Sequence, residues 1–166
     1  MSKTVASSGV VGFAEVTGDR NPIHLSEHFA AKTRFGTRIA HGLYTASLIS
    51  AVLGTRLPGP GAVYISQTLN FRAPVRIGDT VDVTVTVTDL IPERRRARLT
   101  CTCRVGDEVV LDGKALVRVP SRQDTRRASG DSRRDDGRRD DRRRNDRRRD
   151  DSRGGSGGRK RRPSGK

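Results

Sequence analysis

Cysteine is scarce: Cys101 and Cys103 are the only two in 166 residues. They sit two apart in an alternating stretch, so their side chains point to one face and cannot bond each other without distortion. With no further cysteine, the chain has neither a disulfide framework nor a zinc-binding spacing. No run of 18 apolar residues exists, and the N-terminus lacks a charged start followed by an apolar core. A membrane span and a secretory signal are therefore not expected, and a soluble cytoplasmic protein is the default. Also missing are a Gly-rich phosphate loop and a dinucleotide fingerprint, so no NAD, flavin or ATP is implied. Histidine, cysteine and acidic residues are not clustered along the sequence, and no metal is expected.

After Pro120 the only apolar side chain is Ala128, amid Arg, Asp, Ser and Gly. Residues 121–166 carry 19 Lys/Arg against 9 Asp, whereas residues 1–120 carry 15 Lys/Arg against 10 Asp/Glu. The second segment cannot bury apolar surface and is expected to be a disordered basic tail. Its Arg-Arg-Asp-Asp units permit weak binding to nucleic acid or acidic surfaces by counterion release. No aromatic residue is interleaved for base stacking, and its aspartates offset about half the charge, so a solvated tail without a defined partner is favoured. The first segment is a single mildly basic domain, and one of roughly 110–120 residues can fold alone.

Within that domain, Val10, Val11, Phe13, Ala14 and Val16 suggest a short helix stopped by Gly18, while residues 1–9 carry no strong signal. Ser26 is a good N-cap for a second short helix bearing Phe29, Ala30 and Ala31. From Ala40 onward, apolar residues recur at helical spacing and also occupy the opposite face, which predicts a helix buried all round, stopped by Gly54 or Pro58. Strands follow: an alternating run from Val63 to Phe71, then Val81 to Val87, then Ala97 to Val105, and a hairpin through Gly106-Asp107 into Val109–Val119. One helix followed by four antiparallel strands has an economical solution, an α+β domain whose sheet wraps a central helix.

The stretch that promises chemistry is Thr17-Gly18-Asp19-Arg20-Asn21-Pro22-Ile23-His24. Pro22 forbids a regular helix through it and biases Asn21 away from the α region, so the backbone must turn. A turn can bring the Asp19 carboxylate and the His24 imidazole to one point, which is what proton transfer needs. Taken alone, the same residues also fit a capped turn beside a surface histidine. Gly42, at the start of the long helix, offers an unpaired N–H and the positive end of the helix dipole to an oxyanion. Arg72 and Arg76 are candidate contacts for an anionic ligand.

Three motifs occur in order: Phe13-x-x-x-Thr17-Gly18-Asp19-x-Asn21-Pro22-Ile23-His24, then Ile39-Ala40-His41-Gly42, then Asn70-Phe71-Arg72-x-Pro74-Val75-x-x-Gly78-Asp79. Together they make residues 10–120 resemble the MaoC-like dehydratases, most of all the (R)-specific enoyl-CoA hydratases of the hydratase 2 type. The resemblance implies a hot dog fold, a homodimer, and reversible hydration of a trans-2-enoyl-CoA to the (R)-3-hydroxyacyl-CoA, with coenzyme A as part of the substrate and no other cofactor. It makes Asp19 and His24 the catalytic pair that jointly holds the water, and leaves open which of the two is base and which is acid. Asn21 and Ser50 then support the site, Leu53 borders the acyl pocket, His41 positions its neighbours and His28 stays in solvent. An acyl carrier protein in place of coenzyme A, or an inactive scaffold for a nucleic-acid-binding tail, are the alternatives. Such proteins begin with a strand and a longer first helix, which the short stretch before Val10 is not expected to supply; the sheet edge would then be exposed.

Overall fold

The computed structural model describes residues 1–120; the reading of residues 121–166 as a disordered tail lies outside the described residues. The chain runs β1 (Ser2–Thr4), α1 (Ser7–Thr17), α2 (Pro22–Leu25), α3 (Glu27–Ala30), α4 (Gly42–Thr55), β2 (Val63–Gln67), β3 (Asn70–Phe71), β4 (Thr80–Ile91), β5 (Arg96–Val105) and β6 (Glu108–Arg118).

Local chemistry explains the helix ends. Gly18 adopts φ +77° and donates its N–H to the Ala14 carbonyl, closing α1 with the left-handed turn that glycine enters without a Cβ penalty. The Ser26 hydroxyl accepts the Phe29 N–H and starts α3. Between them the structure places one more turn of helix, α2, with Asn21 as its N-cap and Pro22 in its first position. That turn is too short to show as a period in the sequence.

The sheet is antiparallel in the order β1-β4-β5-β6-β2, with β3 on β6. Val81 and Val83 of β4, Ala97, Leu99, Cys101 and Cys103 of β5, and Leu111, Ala115 and Val117 of β6 are buried. They pack against Tyr44, Leu48, Ile49, Val52 and Leu53 of α4. This is the α+β hot dog arrangement, one helix held in the hollow of a curled sheet. No helix of the described residues is long and apolar enough to cross a membrane.

Four expectations need correction. Residues 1–9 do supply an edge strand: β1 pairs with β4, Ser2 opposite Asp82 and Thr4 opposite Thr80. Its three residues are exposed and polar, so no alternation announced it. The α1 helix begins at Ser7, ahead of the expected Val10, and has 11 residues. The run Val63–Phe71 is two strands, because register shifts at Tyr64–Ser66 and the chain leaves the ladder at Thr68-Leu69. The α4 helix passes through Gly54 and is not buried all round: Leu43, Ser47, Ser50, Ala51 and Gly54 are exposed, since the sheet covers only one side.

Gly113 of β6, opposite Cys101, marks where the Thr68 backbone crosses the strand. Thr68 donates its N–H to the Lys114 carbonyl and accepts the Lys114 N–H on its hydroxyl, both at 2.9 Å. A Cβ at Gly113 would overlap the Thr68 carbonyl oxygen. Gly113→Ala is therefore expected to lower stability by about 1–3 kcal/mol in chemical denaturation. An unchanged midpoint would show that the crossing yields without cost.

Candidate active site

The loop between α1 and α2 is held by a ladder of side-chain oxygens, each accepting the N–H two residues on. Thr17 Oγ1 accepts from Asp19 (3.3 Å), Asp19 Oδ1 from Asn21 (3.2 Å), and Asn21 Oδ1 from Ile23 (3.2 Å). These are the local turns that short polar side chains favour over helix. Asn21 thus supports the site through the backbone, by capping the helix that carries His24. Asp19 keeps its second carboxylate oxygen for other use.

His24 is 9 % exposed. Its Nδ1–H donates to the Ile39 carbonyl at 2.8 Å, which leaves the lone pair of the neutral ring on Nε2. The Ile39 segment is itself fixed, since Ala40 donates its N–H to the Val75 carbonyl at 2.7 Å. Beneath His24 lies His41, the N-cap residue of α4 and 2 % exposed. The two imidazoles stack with centroids 3.8 Å apart, and Phe13 closes the other side at 5.1 Å. His41 Nε2–H donates to the Asp19 carbonyl at 3.0 Å, while its buried Nδ1 has no hydrogen-bond partner.

Asp19, His24 and His41 therefore come together: one ligand atom from each lies within 4.8 Å of the others. The expectation of no clustered metal ligands is corrected here, because positions 19, 24 and 41 meet only in the fold. A carboxylate and two imidazoles could hold a divalent cation. The same carboxylate and the free His24 Nε2 can equally hold a water by both its hydrogens.

A pocket of about 260 Å³ opens beside the cluster, lined by His24, Gly42, Thr45, Phe71, Val110 and Arg34 among others. No carbonyl of the described residues accepts the Gly42 N–H. A Cβ at Gly42 would lie 2.8 Å from the Phe71 ring, so the glycine lets that ring close the pocket wall. Thr45 is 3 % exposed and lines the same pocket one turn further on. Sequence reasoning missed it, although a threonine three residues after Gly42 on the same helix face was the available signal.

Other expected residues fall elsewhere. Ser50 is exposed on the outer face of α4, roughly 12 Å of helix rise beyond Gly42, and is not brought to the cluster. Leu53 is 2 % exposed and packs in the core, away from the pocket lining. Arg72 reaches the pocket, but Asp112 holds its guanidinium through two contacts at 2.6 and 3.3 Å. Arg76 is exposed and lies outside the lining. His28 contacts only Lys32, at 2.9 Å on the surface. Burial pushes the Cys103 thiol up to about 11, which excludes it as a ready nucleophile.

The MaoC-like domain model matches residues 1–109. The chain belongs to the MaoC-like family. It is 81% identical over 124 residues to a 3-hydroxybutyryl-CoA dehydratase of Methylorubrum extorquens, covering 75% of this chain and 79% of that protein. It is 54% identical over 122 residues to an (R)-specific enoyl-CoA hydratase of Rhodospirillum rubrum, covering 74% and 85%. Among solved structures, the (R)-hydratase from Aeromonas caviae involved in PHA biosynthesis aligns with a TM-score of 0.71 at 40% identity, over 72% of this chain and 92% of that one.

Burial, with the nearby His41, holds the His24 pKa below its ordinary 6.5, against the opposing pulls of the Ile39 carbonyl and Asp19. The unfolded chain then binds the proton more readily, so stability is full above about 6.5 and falls as the pH drops through the folded value. NMR titration of the imidazole resonances, assigned with His24→Gln, is expected to give a midpoint below 6.5 for His24. A midpoint above it would mean that the Asp19 carboxylate outweighs burial.

Proposed function

We propose that this MaoC-like protein adds water reversibly to a trans-2-enoyl-CoA, giving the (R)-3-hydroxyacyl-CoA. The observation that carries the reading is the convergence of Asp19 and His24 beside a pocket whose wall includes Gly42. The names of its relatives at 81% and 54% identity support the same chemistry.

Hydration forms two bonds, oxygen to the β-carbon and hydrogen to the α-carbon, and breaks two, the carbon–carbon π bond and one O–H bond of the water. In this reading the free carboxylate oxygen of Asp19 and Nε2 of His24 each accept one hydrogen of the water, turning its lone pair toward the β-carbon. As the C–O bond forms, the pair takes one proton and returns it to the α-carbon. Negative charge that collects meanwhile on the thioester oxygen meets the Gly42 N–H at the positive end of α4. The His24 tautomer set by Ile39 matters, because a neutral ring presenting Nε2 enters as an acceptor. In this reading both groups accept from the water, and His24 gives only what it has first received.

Short-chain 2-enoyl-CoA is expected to lose its conjugated-thioester absorbance when mixed with the protein. Asp19→Asn and His24→Ala should each lower kcat by at least about 10²-fold while the circular dichroism stays native. Full activity in either variant would remove that residue from the chemistry.

The homodimer is likewise a proposal. β2 is the last strand of the sheet and leaves Val63, Tyr64 and Ile65 exposed on both its faces, an unprotected edge that a second copy would cover. Ile65→Lys is expected to shift the mass found by light scattering from dimer to monomer. A dimer that persists unchanged would place the interface elsewhere.

A further inference from the structure

Arg34 lies between α3 and α4 and was not singled out by any sequence motif. It lines the pocket together with Phe35, and its guanidinium sits 4.8 Å from the centroid of the Phe35 ring. The other arginine of the lining, Arg72, is occupied: Asp112 receives it through two contacts and also accepts from Asn70 at 2.8 Å. Arg38, four residues beyond Arg34, is likewise committed, to Glu27 at 3.2 Å and to the Ser7 hydroxyl at 3.0 Å. Among the described residues, Arg34 has no hydrogen-bond or carboxylate partner. It is thus a cation at the rim of the site with its charge unspent.

A pocket of about 260 Å³ is at the small end for a ligand site and can take an acyl group and its thioester, not a nucleotide. The carrier arm of the thioester must leave through the rim, and its phosphates stay outside. Phe35 restrains the guanidinium plane, so less rotamer freedom is lost when two of its N–H groups engage one phosphate. Resting on the hydration reading above, we infer that Arg34 anchors the phosphate end of the thioester carrier, in place of the Arg72 and Arg76 suggested by the sequence. The charge that attracts the carrier is then separate from the groups that move protons.

The test compares Arg34→Glu with the native protein on three thioesters of one short 2-enoyl group: coenzyme A, 4′-phosphopantetheine and pantetheine. Arg34→Glu is expected to raise KM for the coenzyme A thioester roughly tenfold with kcat little changed, and to leave the phosphate-free pantetheine thioester unaffected. If the phosphopantetheine thioester is also affected, the phosphate in contact is the one that coenzyme A shares with acyl carrier proteins. If it is not, the nucleotide's own phosphates are in contact; either result supports the anchor. Arg76→Glu makes the same change of charge outside the pocket and should move none of the three. Equal KM changes on coenzyme A and pantetheine thioesters, or no change on either, would overturn the assignment. Calorimetry with free coenzyme A separates this from the hydration reading, because it needs no turnover. Arg34-dependent binding without hydration would uphold the anchor and remove the hydratase. Hydration with binding indifferent to Arg34→Glu would do the reverse.

Discussion

One hydrogen bond holds Asp19 against the start of the long helix: His41 Nε2–H to the backbone carbonyl of Asp19, at 3.0 Å. His41 stands at the N-cap position of the helix that packs on the sheet, whereas Asp19 is otherwise held by the side-chain ladder of its own loop. Ile23 and His24, at the far end of the loop, are tied separately to Ile39, by its N–H at 3.4 Å and its carbonyl at 2.8 Å; without the His41 bond the Asp19 end would keep its shape but not its place. The bond also orders the imidazoles, because a ring committed through Nε2 is held beside His24 with centroids 3.8 Å apart and planes tilted by 34°. Its other nitrogen is buried with no partner, and a buried unsatisfied polar group costs on the order of 1–3 kcal/mol.

What that placement achieves is electrostatic. Burial holds His24 toward its neutral form, and the Ile39 carbonyl decides which nitrogen of that form is bare. Asp19, by contrast, sits in solvent, with one oxygen spent on Asn21. Two acceptors of different kind and environment face the same small volume. A water between them has both hydrogens spoken for and its lone pair turned outward. In the proposed hydration this geometry would activate water by orientation as well as by basicity.

Much of this was legible in the residues, and the rest was hidden for identifiable reasons. Gly18, Ser26, the valines of β4 and the Gly106-Asp107 turn each act within a few residues of themselves, so local chemistry placed them well. The Asp19–His24 pair was legible because Pro22 forces a turn between them. Partnerships across the chain were not. Whether Arg72 is available depends on Asp112, forty residues away, and whether Arg34 is available depends on having no such neighbour. β1 was missed because pairing with β4, not side-chain alternation, makes it a strand. Ser50 and Leu53 share α4, yet the sheet covers Leu53 and leaves Ser50 outside, which helical periodicity in an almost wholly apolar segment cannot decide.

Gly42 shows how closely fold and chemistry are bound at this site. It begins α4, so its N–H has no helical partner, and it has no side chain, so the Phe71 ring can approach to within 2.8 Å of where a Cβ would stand. These look like separate reasons for one glycine, but they depend on each other. An unpaired N–H at a wet helix end is simply hydrated and has little to offer a developing oxyanion. Gly42 and Phe71 are both exposed, so an apolar group seated against that ring is what would screen the N–H from water and let the same dipole act through a lower dielectric. Phe71 comes from β3, whose pairing with Leu111 of β6 positions the ring. The short strand that interrupts the expected run from Val63 to Phe71 therefore borders the pocket, because it brings apolar surface against a backbone donor that the helix does not use.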